Sequence, residues 1–294
     1  LYLQILHIIF LQNMLRNLVG NTPLVELSSG ILTKLETYNP TGSIKDRVVS
    51  YIVRKAIESK DIKPGMTLVE ATSGNTGIAL SAMGSHLGYK VKIIMPSNMS
   101  EERKQMMKWF GAEIIEVEPH NFKGAIELRN QMVKDGCWSP NQFENELNIE
   151  CHFKTTAKEI YKQLHARGDI WGAFVSGAGT GGTMMGIQKY LEWRGLETQM
   201  IFMKPAEKEH GIQGVGDGAD YLLDKNLVTH TVEIKTQTAI EKSKSLSREL
   251  GIPVGISGAA NVLAAEWYEK NHLVHGKTVT ILCDRGERYM ANNP

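Results

Sequence analysis

The sequence lacks a segment that is long and apolar enough to cross a membrane. Residues 1–12 are mostly apolar and contain no Lys or Arg, but a bilayer helix needs roughly 20 consecutive apolar residues. The segment also lacks the basic start and the small-residue cleavage site of a signal peptide. We therefore expect no membrane partner, and we interpret residues 1–12 as an amphipathic helix buried against a partner subunit. Vector-derived residues ahead of a native start near Met14 are the alternative.

Cysteine is scarce, and neither sign of charge is in excess. The three cysteines, Cys137, Cys151 and Cys283, form neither a CxxC pair nor the spacing of a zinc site. We expect reduced thiols in a cytoplasmic protein, and no metal site. Lys and Arg number 33 against 32 for Asp and Glu, which leaves a net charge of +1. Because the net charge is small and no basic run is longer than a few residues, we expect no nucleic-acid partner.

Strands and helices alternate along the 294 residues, which are enough for one large or two ordinary domains. Buried-strand patterns such as residues 66–71 and 171–176 are each followed by a helix pattern. This order is typical of α/β folds, in which helices flank a mostly parallel sheet. We predict two α/β lobes. Residues 35–145 form the N-terminal lobe, and residues 1–34 and 146–294 form the C-terminal lobe, which includes the dimer-contacting N-terminal segment.

One lysine lies between a turn and the start of a helix. Pro40 and Gly42 mark the turn, and the apolar pattern of residues 48–53 marks the helix that follows Lys45. The positive end of the helix dipole disfavours a charged ammonium group at this position. A neutral lysine is the form that reacts with an aldehyde to give a Schiff base. Taken alone, a solvated lysine near a helix end is the more frequent situation, so this interpretation depends on the other loops.

A glycine-rich loop joins a strand to a helix in the second half of the chain. Residues 176–183 read Ser-Gly-Ala-Gly-Thr-Gly-Gly-Thr. Glycines let backbone N–H groups approach an anion, and a helix N-terminus and two threonine hydroxyls add further donors. The loop lacks the Gly-Lys-Ser/Thr of a P-loop and the spacing of a dinucleotide fingerprint. We interpret it as a phosphate-binding loop, and a tight turn without a ligand is the alternative.

Two more loops lie at strand-to-helix junctions. Residues 72–77 read Thr-Ser-Gly-Asn-Thr-Gly and offer hydroxyls, an amide and backbone N–H groups, which suit a small carboxylate. An ordinary helix cap needs only one such residue. Residues 255–259 again place a serine, Ser257, at the start of a helix. The chain therefore predicts three polar loops of the same kind.

These segments, in this order, resemble the motifs of a known enzyme family. Residues 39–47, 72–77, 95–103 and 179–183 are similar to motifs of cysteine synthases (O-acetylserine sulfhydrylases) and of the catalytic core of cystathionine β-synthases. The likeness extends almost from end to end. It implies a pyridoxal-phosphate enzyme of fold type II, with the two-lobed architecture of the tryptophan synthase β subunit, and a homodimer.

The resemblance implies a role for each matching residue. Lys45 would form the Schiff base with pyridoxal 5'-phosphate and later move the α-proton of the substrate. Asn75 would contact the ring hydroxyl of the cofactor, and Ser257 its pyridine nitrogen. The cofactor phosphate would be held by Gly179, Thr180, Gly181, Gly182 and Thr183. The carboxylate of the amino-acid substrate would be bound by Thr72, Ser73, Gly74, Thr76 and Gln142.

The implied reaction is β-elimination and β-replacement at Cβ of a serine- or cysteine-type amino acid, through an α-aminoacrylate, in cysteine and sulfide metabolism. A neutral serine at the pyridine nitrogen favours this chemistry. The resemblance leaves open whether sulfide is added or released, and which of O-acetylserine, O-phosphoserine, serine and cysteine is the first substrate. A threonine or serine dehydratase is a nearby alternative. A non-catalytic relative that binds an amino acid or a partner protein is a more distant one.

The sequence departs from the family pattern at Asp217. Residues 214–219 carry a carboxylate where the family usually has a small apolar residue. We hypothesise that Asp217 is a general base that activates water, so that cysteine is converted to serine with release of hydrogen sulfide. A solvated loop aspartate is the alternative. Arg285 also stands where the family usually has a small polar residue, and the sequence offers no functional reason for it.

Overall fold

The computed structural model describes residues 17–72, 74–216 and 222–292. Residues 1–12, Ser73 and Asp217 lie outside the described residues, so what the sequence predicts for them stays a prediction. No helix in the described part of the chain is long and apolar enough to cross a membrane.

The elements alternate between strand and helix over most of the described chain. The strands are β1 (Leu24–Glu26), β2 (Leu32–Leu35), β3 (Thr67–Ala71), β4 (Lys90–Pro96), β5 (Glu113–Val117), β6 (Trp171–Gly177), β7 (Gln199–Pro205), β8 (His230–Ile234) and β9 (Lys277–Leu282). The helices are α1 (Lys45–Glu58), α2 (Asn75–Leu87), α3 (Glu101–Trp109), α4 (Phe122–Lys134), α5 (Leu147–His152), α6 (Lys158–Arg167), α7 (Gly182–Arg194), α8 (Thr236–Leu250) and α9 (Ile256–Asn271).

The described residues fold as two compact units. The first contains residues 17–19 and 45–145, and the second contains residues 20–44 and 146–292. Two segments differ from the lobes expected from the sequence: residues 17–19 belong to the first unit, and residues 35–44 belong to the second. For residues 35–44, the physical reason is backbone pairing: β2 lies parallel to β9, and the N–H of Ile44 donates to the carbonyl of Cys283 at 2.9 Å.

The first unit is built on a three-stranded parallel sheet in the order β3-β4-β5. Parallel strands need long crossovers, which α2 and α3 provide between successive strands. Leu68, Ile78, Ile93 and Met107 are each buried in one apolar cluster that joins the sheet to its helices. The carboxyl end of β3 therefore projects its following loop from a packed and rigid base.

The second unit contains a six-stranded sheet in the order β1-β2-β9-β6-β7-β8. All its strand pairs are parallel except β1 with β2. Along β6, Ala173 and Val175 belong to one apolar cluster and Phe174 to another. Successive residues therefore face opposite sides of the sheet, as the two-residue period of a strand requires, and both sides are covered. The prediction of mostly parallel sheets flanked by helices is confirmed.

Candidate active site

The turn ahead of Lys45 is shaped by a buried polar network in the second unit. The side chain of Asn39 donates to the carbonyl of Glu36 at 3.0 Å and to its carboxylate at 2.6 Å. The hydroxyl of Thr22 donates to the same carboxylate at 2.8 Å. The N–H of Gly42, whose φ is +82°, donates to the carbonyl of Asn39 at 2.8 Å. The turn is thus fixed up to Ile44, and Lys45, which is partly buried, is the first residue of α1.

Arg285 holds the outer side of this turn, which gives a structural account of its departure from the family pattern. Its backbone N–H donates to the carbonyl of Gly42 at 3.2 Å, and its guanidinium donates to the carbonyl of Thr37 at 3.0 Å. Arg288 donates to the carbonyl of Thr41. Two arginines therefore satisfy carbonyls of the lysine turn, a contact pattern that the sequence did not indicate.

The polar loop of the first unit runs from the end of β3 to the start of α2. The N–H of Thr72 donates to the carbonyl of Ile94 on β4 at 3.0 Å, which keeps the start of the loop in line with the sheet. The N–H of Gly74 donates to the hydroxyl of Thr72 at 3.3 Å. Asn75 and Thr76 form the first turn of the 13-residue helix α2, where backbone N–H groups and the helix dipole favour an anion.

Gln142 meets this loop from a distant part of the first unit. The hydroxyl of Thr76 donates to the side-chain oxygen of Gln142 at 2.6 Å, and both residues are buried. The structure thus brings together two of the residues assigned to the substrate carboxylate, although 66 positions separate them in the chain.

A buried ion pair in the first unit lies next to this loop, and no pattern in the sequence indicated it. The Glu70 carboxylate lies 3.3 Å from a guanidinium nitrogen of Arg129. It also accepts the N–H of Ala71 at 2.9 Å and the N–H of Gln142 at 3.4 Å. Burial raises the pKa of the Glu70 carboxyl above its ordinary value, and the charge of Arg129 and the backbone hydrogen bonds oppose that shift. An acid in a fully buried strand next to a polar loop is the signal that could have found it.

The glycine-rich loop of the second unit joins β6 to α7. The Thr180 hydroxyl is buried, and it accepts a hydrogen bond from the side chain of Asn148 at 3.0 Å and from the N–H of Gly182 at 3.3 Å. Gly181 has a φ of +85° and immediately precedes α7, which is 13 residues long. Gly181 therefore turns the chain from β6 into the start of α7, and a helix start favours an anion.

The glycines of this loop are required by the backbone around them. A Cβ on Gly179 would lie 2.4 Å from the carbonyl oxygen of Gly214, and one on Gly181 would lie 2.5 Å from the backbone nitrogen of Leu223. Hydrogen bonds tie the same segments together, because the N–H of Gly216 donates to Ala178 and the N–H of Leu222 donates to Thr180, both at 3.0 Å. These anchors flank residues 217–221, which include Asp217.

His152 supports the last residue of the glycine-rich loop. Its Nε2 lies 3.2 Å from the hydroxyl of Thr183, and its Nδ1 lies 2.9 Å from the hydroxyl of Thr156. Residues Phe153–Ala157 form a π-helical turn directly after His152, and such turns are often found at functional sites. The sequence alone indicated neither the π-helical turn nor the contact with Thr183.

Ser257 occupies the first turn of α9 and is buried. One turn further along, the Asn261 side chain accepts the N–H of Gly177 at 2.7 Å and donates to the carbonyl of Ile281 at 3.0 Å. This residue therefore links α9 to the ends of β6 and β9. Ser257 and the glycine-rich loop are held by the same part of the second unit.

The donor set of the second unit fits a phosphate group. Residues 179–183 provide backbone N–H groups at a helix start and the hydroxyls of Thr180 and Thr183, and this stretch contains no carboxylate. Such a set stabilises a dianion without an arginine or lysine. In the first unit, Lys45 provides an amine and the loop after β3 provides donors for a carboxylate. Within the described residues, no cluster of three or more His, Cys, Asp or Glu could hold a metal ion.

The chain is similar to known proteins over most of its length. The family model described as pyridoxal-phosphate dependent enzyme matches residues 15–284. Cysteine synthase B of Pseudomonas aeruginosa is 38% identical, with 93% of this chain and 94% of the relative covered.

Two solved structures are also similar. A cysteine synthase from Entamoeba histolytica has a TM-score of 0.84 at 38% identity and covers 94% of this chain and 88% of its own. A hydrogen sulfide-producing enzyme from Fusobacterium nucleatum has a TM-score of 0.89 at 36% identity. The match covers 95% of this chain and 90% of the Fusobacterium nucleatum chain. The latter enzyme was also solved as an aspartate-to-asparagine mutant in complex with an α-aminoacrylate intermediate.

Proposed function

The chain belongs to the family of pyridoxal-phosphate dependent enzymes, and we propose that its main reaction is cysteine synthesis from an activated serine and sulfide. Its cofactor is pyridoxal 5'-phosphate, and its chemistry is β-elimination and β-replacement in cysteine and sulfide metabolism. The interpretation as a cysteine synthase-like enzyme is confirmed at this level. The alternative of a non-catalytic relative has no support from these relatives.

One contact carries the proposal of an amino-acid substrate. Thr76 and Gln142 come together in the structure at 2.6 Å, at the start of a helix whose dipole favours an anion. We assign Thr72, Ser73, Gly74, Thr76 and Gln142 to the substrate carboxylate. This assignment is supported by the donors of the loop and by the helix start.

Four parts of the cofactor are each assigned to residues of this chain. Lys45 would bind its aldehyde carbon, Asn75 its ring hydroxyl and Ser257 its pyridine nitrogen, and residues 179–183 its phosphate. When bound, it supplies an electron sink that makes the α-proton of the amino acid acidic. The amine of Lys45 would accept the α-proton and later return it. The hydroxyls of Thr180 and Thr183 would orient the phosphate.

The overall conversion is balanced without an oxidant or reductant. For O-acetyl-L-serine, the Cβ–O bond breaks and acetate leaves, and a Cβ–S bond forms with sulfide, so that O-acetyl-L-serine and hydrogen sulfide give L-cysteine and acetic acid. Other activated serines would lose their own leaving group at the same bond. The carboxylate-binding loop holds the amino acid while the group at Cβ is exchanged.

A second candidate function is favoured by one residue of the sequence and by one relative. Asp217 provides a carboxylate in a loop whose flanks are tied to the glycine-rich loop. As a general base toward water, it would allow L-cysteine and water to give L-serine and hydrogen sulfide. The Fusobacterium nucleatum enzyme produces hydrogen sulfide, and its aspartate-to-asparagine mutant holds an α-aminoacrylate intermediate. A mutant that lacks the base for the next step would hold such an intermediate.

The test begins with the visible absorbance of the purified protein, which a bound cofactor provides. We expect Lys45→Ala to lose this absorbance, because the variant cannot bind the cofactor covalently. We expect incubation of the wild type with O-acetyl-L-serine, O-phospho-L-serine, L-serine or L-cysteine to change the absorbance. Cysteine formed in the presence of sulfide supports the main proposal. A colourless protein that pyridoxal 5'-phosphate cannot reconstitute would contradict both candidates.

The two candidates separate at the second step. With L-cysteine as substrate, wild-type protein that releases sulfide and forms serine favours the second candidate. Asp217→Asn should then suppress the formation of serine far more than the initial change in absorbance. Equal loss of both, or loss of neither, would reject the role of Asp217. Thr198→Val, which removes a hydroxyl bound to the carbonyl of Trp171, is a control that we expect to change neither step.

We also propose a homodimer in the cytoplasm. The homodimer is supported by the resemblance to cysteine synthases. The location is supported by Cys137, Cys151 and Cys283, which are all free thiols in the structure, as expected for a reducing compartment. Light scattering of the purified protein measures the oligomeric state, and fractionation of cells that express the protein measures its location.

A further inference from the structure

The ion pair between Glu70 and Arg129 occupies an unusual place for two charged residues. Their exposed fractions are 0% and 4%, so both are removed from water. Burying a charged pair brings little net stability compared with apolar residues of the same size. The hydrogen bonds of this pair therefore matter for the groups that they hold in place.

The Glu70 carboxylate connects two separate segments of the first unit. One oxygen accepts the N–H of Ala71, the last residue of β3 before the polar loop, at 2.9 Å. The other accepts the N–H of Gln142 at 3.4 Å. One rigid group thus fixes the backbone on both sides of the contact between Thr76 and Gln142.

Arg129 holds the turn that leads to Gln142. Its guanidinium donates to the hydroxyl of Ser139 at 3.1 Å and to the side-chain oxygen of Asn141 at 3.0 Å. Asn141 has a φ of +46°, a left-handed conformation that a residue other than glycine adopts at a cost. The side-chain contact to Arg129 offsets this cost and sets the direction in which the chain enters Gln142.

We propose that Glu70 and Arg129 are positioning residues for the recognition of the substrate carboxylate. They act through Gln142 and the loop after β3, and the inference rests on the proposed function, in which Thr76 and Gln142 bind that carboxylate. Neither member of the pair touches the substrate. Recognition depends on them because side-chain donors must be held within a few tenths of an ångström to favour a carboxylate over a neutral group.

The test compares an amino acid with its carboxamide in the holoenzyme. L-Cysteine and L-cysteinamide differ only in the group that the loop is proposed to bind. Their dissociation constants are measured from the change in visible absorbance. In the wild type, the acid should bind more tightly than the amide. Glu70→Gln keeps the shape of the side chain but weakens the hold on Gln142. It should reduce this preference about tenfold, the effect of losing roughly one charge-assisted hydrogen bond.

The control is a second ion pair in the same unit. Lys104 is 2% exposed and lies 2.6 Å from Glu116. Among the residues that the structure describes, Glu116 makes no hydrogen bond to the polar loop or to Gln142. Glu116→Gln should therefore keep the wild-type preference for the acid. Cofactor content, read from the absorbance of the protein without substrate, should be the same in all variants.

A milder variant covers the case in which Glu70→Gln fails to fold. Ser139→Ala removes a hydroxyl that accepts from Arg129 and from the N–H of Asn141. It should reduce the preference for the acid about threefold, because the turn loses one hydrogen bond from the Arg129 guanidinium and one from its own backbone while the Glu70 carboxylate stays in place. The double variant Glu70→Gln/Arg129→Met removes both charges and should lose the preference as fully as Glu70→Gln does.

The outcomes separate the inference from the function on which it rests. Equal weakening of acid and amide, or no change in either, would overturn the role of the ion pair. A wild type that binds cofactor but neither discriminates the two compounds nor responds to any of the four amino acids would instead overturn the assignment of the carboxylate site.

Discussion

The loop after β3 and the loop after β6 occupy the same place in their units but keep their shape by different means. Each follows a parallel strand and leads into a helix of 13 residues. In the first unit the loop is held by side chains, through the contact of Thr76 with Gln142 and the charged pair behind it. In the second unit it is held by the amide of Asn148, which donates to Thr180, and by close backbone packing.

This difference matches the anions that the two loops are proposed to bind. A carboxylate presents two oxygens in a plane, so its recognition depends on a few side-chain donors in fixed orientations. A phosphate presents three oxygens in a compact group, and backbone N–H groups reach it best where no side chain intervenes. We therefore predict that a side chain at Gly181 disturbs the second loop strongly. The loss of a single hydroxyl should disturb either of the two loops less.

The largest expected effect comes from a methyl group added to the second loop. Gly181→Ala places a Cβ 2.5 Å from the backbone of Leu223 and also retains an unfavourable φ of +85°. We expect the cofactor to be lost, with a dissociation constant at least about 100-fold higher, because the backbone must move. Gly195→Ala at the other end of α7 is the matched control, since its φ is +65° but no atom lies within 4 Å.

Absorbance of the dialysed variants measures the bound cofactor, and thermal unfolding measures stability. Gly195→Ala should keep the cofactor and should lose only roughly 1–2 kcal/mol of stability, the cost of a left-handed conformation for alanine. If both variants lost the cofactor equally, strain in φ rather than close packing would be the cause. That result would contradict the claim that close backbone packing holds the second loop.

A matched pair of substitutions should show that the two loops serve different ligands. Thr180→Val removes the hydroxyl bound to Asn148 and Gly182, and Thr76→Val removes the hydroxyl bound to Gln142. Each removes a hydrogen bond from a buried polar group, which costs about 1–3 kcal/mol. Thr180→Val should weaken cofactor binding about tenfold, whereas Thr76→Val should raise KM for the amino acid about tenfold, since 1.4 kcal/mol corresponds to that factor.

Titration with pyridoxal 5'-phosphate and steady-state kinetics at saturating cofactor separate these two effects. An increase in KM for the amino acid in Thr180→Val, with cofactor binding unchanged, would reverse the assignment of the loops. Changes of equal size in both quantities for both variants would show that the loops are coupled and not specialised.

A change in the lysine turn should have a smaller effect than a change in either loop. Arg285→Ser removes the guanidinium that donates to the carbonyl of Thr37 and leaves the backbone contact to Gly42 in place. Since the side chain is half exposed, water replaces the lost donor, and stability should fall by only about 0.5–1.5 kcal/mol. Chemical denaturation measures this, and the wild-type cofactor content should be retained. Loss of cofactor in Arg285→Ser would place the arginine in the site itself.

The smallest expected effect concerns the pH dependence of stability in the first unit. Burial raises the pKa of Glu70, so the folded protein binds its proton more tightly than the unfolded chain, whose glutamate titrates near about 4.3. The stability from this group is complete below that pH and is lost as the pH rises through the folded pKa. The wild type should therefore lose stability relative to Glu70→Gln with rising pH, by at most about 1.4 kcal/mol per pH unit.

Urea denaturation at a series of pH values measures this difference. Thr180→Val should differ from the wild type by the same amount at every pH, because a threonine hydroxyl does not titrate in this range. A wild type that gains stability over Glu70→Gln as the pH rises would mean that Arg129 lowers the pKa of the carboxyl more than burial raises it.

Much of the fold followed from patterns within a few residues. The alternation of buried strands with helix patterns predicted parallel sheets, and the polar loops at residues 72–77 and 179–183 lie at strand-to-helix junctions as expected. These features depend on backbone conformation and side-chain period, which neighbouring residues largely decide. The place of Lys45 at the start of α1 was likewise evident from the turn before it.

The supports of the two loops did not follow from such patterns. Glu70 and Arg129 are 59 positions apart, and Asn148 and Thr180 are 32 apart. Nothing near Arg129 in the sequence distinguishes it from the other charged residues of an amphipathic helix. Its role as a buried partner depends on which face of α4 packs against β3, and local patterns do not specify that contact.

The sequence by itself determined which groups are available for the proposed chemistry: a lysine at a helix start, a glycine-rich loop that we propose for a phosphate and a hydroxyl-rich loop that we propose for a carboxylate. The tertiary structure alone decided what holds each of them. It paired residues 35–44 with the second unit, brought Gln142 to Thr76 and placed an ion pair behind them. The reason is that donors and turns are properties of short segments, whereas the fixed position of a donor depends on packing between segments far apart in the chain.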